Sequence, residues 1–260
     1  MNKLLLITIS ILLSLTIVNA DSTKEKSQNN QNINTNKQVS FNARGVKITN
    51  INDNKTTIDI GNLTIGQSGI VIHIYEDDKR SIVANAQVIE SNETSSIIEF
   101  SKFDDLKQDA IPTSSRTVEK GDILVLNYLY TSSLLIAPNV DTFQAIRTNF
   151  KFNNFLHSDI FATKLKIDNM PYITKEYLQS YAIEQNLGTI FIVVNQNLYV
   201  LDTKTFKIIG NYKISYDENK AELPFYTRVT DIETSTFDIQ LFSNREDLSY
   251  DEYYKKLLGL

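Results

Sequence analysis

The sequence predicts an α+β protein in which a small N-terminal β-barrel precedes a mixed domain of helices and antiparallel strands. Three observations carry this prediction: a period-two pattern from Phe41 to Tyr130, helical spacing after Pro138, and a short helix-like segment at the C-terminus. Of the 260 residues, 42% are hydrophobic, which is enough for a packed core. The predicted boundaries are 1–20 for a signal peptide, 21–40 for a disordered linker, 41–131 for the barrel, 132–248 for the α+β domain and 249–260 for the C-terminal helix.

The first twenty residues match the pattern of a secretory signal peptide. Lys3 provides a positive start, the run from Leu4 to Val18 is apolar, and Ala20 stands where a signal peptidase would cleave. An uncleaved anchor is the alternative, although the run falls short of the roughly 20 residues that span a bilayer. We therefore expect export to the periplasm or the outer cell surface, with no transmembrane segment after cleavage.

Residues 21–40 are rich in Asn and Gln and offer little apolar surface to bury. Such a composition cannot offset the entropy lost on ordering, and it predicts a flexible tether. An adhesive arm is the alternative function for this segment.

The barrel prediction depends on short stretches in which apolar and polar residues alternate. Examples are the stretches from Thr56 to Ile60 and from Ile82 to Val88, and turn-forming strings such as Asn52-Asp53-Asn54 separate them. Six strands at this spacing, with no helical period between them, favour a small closed barrel or a sandwich.

After Pro138 the apolar residues take helical spacing, and the sequence predicts helices followed by an antiparallel meander and a closing helix. The expected helices cover 141–150, 157–166 and 174–187, the strands cover 190–194, 198–201 and 206–214, and the closing helix covers 250–258.

The third helix has the clearest boundaries in the sequence. Thr174 can cap its N-terminus, and Ile173 and Leu178 have the spacing of a hydrophobic staple. Gly188 is expected to end this helix at Leu187.

The residues do not indicate an enzyme. Cysteine is absent, which excludes disulfides and thiolate chemistry, and a net charge of −5 argues against a nucleic-acid partner. We find no phosphate-binding or nucleophile motif, and we expect no catalytic residue, no cofactor and no metal ligand. His73 and His157 are assigned local structural roles. Asp104, Asp105 and Asp109 are assigned to capping and a solvated turn, with binding of a divalent ion as the alternative.

The closing helix is the candidate surface for a protein partner, because it combines acidic, basic and tyrosine side chains. Ion pairs are expected at i, i+4 spacing, with ordinary helix support as the alternative. The candidate partner-binding residues are Asp251, Glu252, Tyr253, Tyr254, Lys255 and Lys256.

One short string matches a modification motif. Glu90-Ser91-Asn92-Glu93-Thr94 fits the acid-extended N-glycosylation sequon of some bacteria. A chance match in an Asn-rich chain is the alternative.

Several long strings resemble the N-terminal domain of bacterial plasminogen-binding surface proteins. They lie at 103–112, 126–130, 135–139, 157–162, 223–226 and 253–259. The resemblance implies an exported, non-enzymatic protein that captures host plasminogen through lysine side chains.

The same resemblance implies how the lysines would act. Plasminogen kringles hold a Lys ammonium and a carboxylate at fixed spacing across an aromatic trough, an arrangement that a C-terminal lysine provides alone. Since this sequence ends in Leu260, we expect Lys255 or Lys256, set against Asp251 or Glu252, to form an internal substitute. The alternative is a periplasmic scaffold protein that docks to other envelope proteins.

Overall fold

The computed structural model describes residues 34–37, 39–76, 78–105, 116–170, 172–230 and 248–260. The predicted signal peptide therefore lies outside the described residues, as does most of the predicted tether. Within these described ranges the chain forms two six-stranded sheets and four α-helices. The strands are β1 (Asn34–Lys37), β2 (Arg44–Lys47), β3 (Lys55–Ile58), β4 (Ser68–Ile74), β5 (Arg80–Ser91), β6 (Ser96–Lys102), β7 (Ile123–Leu126), β8 (Ser132–Ile136), β9 (Asn154–Leu156), β10 (Thr189–Val194), β11 (Asn197–Asp202) and β12 (Ile208–Lys213). The helices are α1 (Val140–Asn149), α2 (Ser158–Ile167), α3 (Lys175–Glu184) and α4 (Tyr250–Leu258).

The N-terminal half forms a curled, half-barrel sheet with strand order β2-β7-β4-β5-β6-β3, and every pairing in it is antiparallel. The six predicted strands are present, but the predicted closed barrel is wrong. Closure would require ladder hydrogen bonds between the edge strands β2 and β3, and the sheet topology of the described residues contains no such pairing. Both edge strands are only four residues long, and the sheet stays open around a core that includes Ile58, Val71, Ile98 and Leu124.

The second sheet has the order β1-β12-β11-β10-β8-β9 and lies between two helical layers. The predicted antiparallel meander of β10, β11 and β12 is confirmed. However, β8 and β9 add two parallel pairings that the sequence analysis did not anticipate. Both faces of β10 are buried, because Ile190 and Ile192 pack with α2, α3 and α4 while Phe191 and Val193 pack with α1.

The four predicted helices are confirmed, with one boundary corrected. Thr174 caps α3 by accepting a hydrogen bond from the Tyr177 backbone N–H at 3.2 Å. The helix nevertheless ends at Glu184, and Asn186 takes the left-handed conformation with φ of 54°. Asn can adopt this conformation because its short polar side chain bonds locally, so Gly188 is not needed as the helix terminator.

Gly188 is required for a different reason. A Cβ atom on this residue would lie 2.4 Å from the carbonyl carbon of Leu129, a backbone atom that cannot move aside. The Gly188 N–H also donates to the Ser132 carbonyl at 2.9 Å. The glycine therefore permits close approach between the chain entering β10 and the chain entering β8.

The end of the predicted tether is ordered, which corrects the prediction for 21–40 at that point. Strand β1 pairs with β12, and the Val39 N–H donates to the Tyr212 hydroxyl at 3.0 Å. The Phe41 ring stacks on Phe191 at 5.7 Å between ring centroids. Edge-strand hydrogen bonds and two apolar side chains thus attach this segment to the second sheet before the chain enters the half-barrel.

Candidate functional site

Helix α4 is the element on which the sequence analysis placed the partner-binding residues, and it has well-defined ends. At its N-terminus, Ser249 and Glu252 form a capping box in which each side chain accepts from the backbone N–H of the other residue. At its C-terminus, Gly259 takes the left-handed conformation with φ of 68°. These caps fix which side chains point into the protein and which point out.

The tyrosines of α4 point inward. Tyr253 and Tyr254 are 9% and 0% exposed, and they pack in the core between α4 and the second sheet with Tyr250. The Tyr253 hydroxyl donates to the Ile173 carbonyl at 2.5 Å, and the Tyr254 hydroxyl donates to the Pro224 carbonyl at 2.6 Å. The structure therefore places Tyr253 and Tyr254 in the core and not on the exposed side of α4. Tyr253 and Tyr254 lie three and four residues after Tyr250, which is the spacing of the apolar residues on the buried face of a helix.

The acidic residues of α4 are engaged with the protein itself. Asp251 accepts from the Asn195 backbone N–H at 2.7 Å and from the Tyr216 hydroxyl, which attaches the helix to the β10–β11 turn. Glu252 accepts from Ser249, and the hydrogen bond from the Ser249 backbone N–H lowers the pKa of the Glu252 carboxyl. The predicted i, i+4 ion pairs are not formed, because both carboxylates already have these nearer donors.

The basic residues of α4 remain exposed. Within the part of the chain that the structure describes, neither Lys255 nor Lys256 has a carboxylate within ion-pair distance. Glu252 is also exposed, and it precedes these lysines by three and four residues, the spacing of neighbours on a helix surface. We call Glu252, Lys255 and Lys256 the α4 lysine face. It carries two ammonium groups and one ionised carboxylate held in place by its cap.

A second feature is a cleft of about 760 Å³ between the half-barrel on one side and α3 with the β11–β12 turn on the other. Polar side chains line much of it, including Asn85, Gln87, Asp104, Asp105, Glu184 and Lys204. Asp105 forms an ion pair with Lys204 and accepts from the Asn85 amide at 3.2 Å, while burial lowers the pKa of Lys204. Asp109, the third member of the predicted acidic group, lies outside the described residues. Among the residues that are described, no cluster of His, Asp or Glu is arranged to hold a metal ion.

Beside this cleft, a buried carboxylate links the half-barrel to the second sheet. Asp202, at the end of β11, is fully buried and accepts from the Ser68 hydroxyl and the Tyr130 hydroxyl, each at 2.5 Å. It also accepts from the Ser68 and Thr205 backbone N–H groups at 3.0 and 2.8 Å. We call Ser68, Tyr130, Asp202 and Thr205 the intersheet latch. Asp202 is not among the residues that the sequence singles out, since no local pattern shows that Ser68, 134 residues away, is its partner.

Both histidines have hydrogen-bond partners within the chain, although those of His73 are distant in sequence. The His73 Nδ1 atom lies 2.7 Å from Asp122 and 2.9 Å from the Arg116 guanidinium, so this residue is part of a charged cluster on the half-barrel. His157 caps α2 by accepting from the Asp159 N–H at 3.2 Å.

Comparison with known proteins identifies the relatives of the chain. The family model described as "Plasminogen-binding protein pgbA N-terminal" matches residues 44–258. The chain is 29% identical over 203 residues to the plasminogen-binding protein PgbA of Helicobacter pylori strain J99, covering 75% of this chain and 43% of the relative. The PgbA of strain 26695 is also 29% identical, with 42% of its length covered. The chain thus spans less than half the length of the curated relatives it matches.

Proposed function

Because the chain belongs to the family of the N-terminal region of plasminogen-binding protein PgbA, we propose that it is an exported protein that binds plasminogen through the α4 lysine face. The relatives carry plasminogen binding in their names. The family match extends to residue 258 and so includes this helix.

The observation that supports this choice of surface is that the charged side chains on α4 differ in their hydrogen bonding and exposure. Asp251 is held by two donors, whereas Lys255 and Lys256 are exposed and free of ion pairs within the described residues. A free ammonium can enter a partner's aromatic site without first breaking an internal ion pair. Glu252 supplies the negative charge one helical turn away, with about 5–6 Å between Cβ atoms at such spacings.

A binding measurement with matched variants tests the proposal. Plasminogen is immobilised, and the full chain is compared with the double variant Lys255→Ala/Lys256→Ala. Loss of both ammonium groups should weaken binding by about 2 kcal/mol or more, roughly thirtyfold in Kd, as expected for residues that dominate an interface. A free lysine analogue should compete with the unmodified chain.

The control is Lys47→Ala/Lys120→Ala, which removes two exposed lysines from the half-barrel while the net charge changes equally. This variant should bind as the unmodified chain does. Equal weakening by both double variants would indicate a non-specific charge effect, and unchanged binding by the α4 variant would exclude this surface.

Export is part of the proposal, and the signal-peptide pattern of residues 1–20 supports it. Among the described residues, no helix is both long and apolar enough to cross a bilayer. Protease treatment of intact cells distinguishes the two locations that the sequence allows. Cleavage in intact cells would support plasminogen capture at the surface. Protection until the outer membrane is opened would instead favour a periplasmic scaffold that docks to other envelope proteins.

A further inference from the structure

The β5–β6 hairpin carries an asparagine whose surroundings suit covalent modification. We propose that Asn92 is an N-glycosylation site, modified by a bacterial oligosaccharyltransferase that requires an acidic residue two positions before the asparagine. The inference goes beyond plasminogen binding and depends only on the chain meeting such an enzyme.

The sequence contains three Asn-x-Ser/Thr strings, at Asn54, Asn62 and Asn92. The residues two positions before them are Asn52, Ile60 and Glu90, respectively. Only Asn92 therefore has the acidic extension. All three asparagines are exposed, so exposure alone does not distinguish them.

The hairpin presents the acceptor and its acidic determinant together. Asn92 follows the last residue of β5 directly, and Glu90 lies two residues earlier at an irregularity in the β5–β6 pairing. The two residues are thus adjacent to the same hairpin turn. Both residues are exposed, and Glu90 forms no ion pair with the described residues. Its carboxylate is thus available to a cationic group of an enzyme.

The hydrogen bonds of Asn92 leave its amide nitrogen available for reaction. The side-chain oxygen accepts from the Thr94 and Ser95 backbone N–H groups at 2.9 and 2.8 Å, which fixes the turn. The nitrogen Nδ2 makes one bond, a donation to the Ser95 hydroxyl at 3.0 Å. An amide nitrogen has two hydrogens, so glycosylation can remove one while the other keeps this bond. The turn is therefore compatible with the modified side chain.

The transfer step is a substitution at a sugar carbon. Nδ2 of Asn92 attacks C1 of the first sugar of a polyprenyl-diphosphate-linked oligosaccharide and forms an N–C bond. The bond between C1 and the diphosphate oxygen breaks, the amide loses one proton to a base of the transferase, and polyprenyl diphosphate leaves. No oxidation or reduction takes place.

Purified components test the proposal independently of export and of plasminogen binding. The folded full chain is incubated with a purified acid-requiring bacterial oligosaccharyltransferase and a polyprenyl-diphosphate-linked oligosaccharide. Intact-mass measurement and glycopeptide mapping then locate the product. A synthetic peptide of residues 86–98 serves as the positive control for enzyme activity.

We expect one glycan per chain, located on Asn92 and absent from Asn92→Gln. Glu90→Gln keeps the fold and the Asn-x-Thr string. Its rate of modification should fall by roughly tenfold or more, because it loses one charge-assisted hydrogen bond to the enzyme. An unmodified folded chain alongside a modified peptide would overturn the proposal. Equal modification of Glu90→Gln, or modification of Asn54 or Asn62 to the same extent, would also overturn it.

Discussion

Replacing Asp202 with alanine tests whether the intersheet latch stabilises the fold. The substitution removes the acceptor of the Ser68 and Tyr130 hydroxyls and of the Thr205 N–H, and Ser68 and Tyr130 are buried. The Ser68 N–H also loses Asp202 but keeps the Tyr130 hydroxyl as an acceptor at 2.9 Å. A buried donor left without a partner costs about 1–3 kcal/mol, and two to three donors are affected. Removing a desolvated carboxylate offsets part of this cost. We therefore expect the free energy of unfolding to fall by about 3 kcal/mol.

Urea unfolding, followed by circular dichroism, measures this change. Asp59→Ala is the matched control, because Asp59 is an exposed carboxylate on the half-barrel, and surface substitutions of this kind usually stay within about 0.5 kcal/mol. If Asp202→Ala changed the stability no more than the control does, the latch would not stabilise the folded state.

The pH dependence of the same comparison provides a second check. Complete burial raises the pKa of the Asp202 carboxyl above its ordinary value, despite the hydrogen bonds that it accepts. A group with a raised folded-state pKa stabilises most fully below the unfolded-state pKa of about 4, and this contribution is lost as the pH rises through the folded-state pKa. Asp202→Asn cannot titrate, so the free energy of unfolding of the unmodified chain, measured relative to that of Asp202→Asn, should decrease as the pH rises from about 4. An increase in this difference with rising pH would contradict the assigned direction.

Three further substitutions test other parts of the fold. Gly188→Ala should lower stability by about 1–3 kcal/mol, because its Cβ would meet the Leu129 backbone at 2.4 Å, and an unchanged melting temperature would contradict that close approach. Ser249→Ala removes the cap of α4 and should cost about 1 kcal/mol in urea unfolding, with no loss expected if the capping box contributes nothing. For Asp159, burial raises the pKa, but hydrogen bonds from the Arg228 backbone and guanidinium lower it to a net value below the ordinary one. The unmodified chain should therefore be more stable than Asp159→Asn above about pH 4, and this advantage should fade as the pH falls through the folded-state pKa. An advantage that persisted in acid would contradict the ion pair between Asp159 and Arg228.

Local patterns determined most of the secondary structure. The meander of β10, β11 and β12 and the four helices follow from residue spacing and turn residues within about ten positions of each other. Thr174 illustrates this, because its capping hydrogen bond joins residues three apart and is visible in the sequence. The six strands of the half-barrel were predictable for the same reason.

Contacts between distant residues could not be predicted in this way. Whether β2 and β3 pair to close a barrel depends on how far the sheet curls, which no window of sequence contains. The inward direction of Tyr253 and Tyr254 depends on which face of α4 meets the second sheet. The sequence of an amphipathic helix shows that one side is buried. It does not show whether a stripe of tyrosines on that side packs in the protein's own core or against a partner.

The sequence by itself determined the four helices and most of their boundaries, most of the strands, the family resemblance and the sequon at Asn92. Only the tertiary structure decided that the half-barrel is open, that Asp202 links the two sheets, and that Lys255 and Lys256 are exposed without an ion pair among the described residues. The physical reason is the distance along the sequence over which each interaction acts. Helix propensity, capping and turn chemistry involve residues only a few positions apart. Burial and hydrogen bonding instead depend on groups that folding brings together from far apart in the chain.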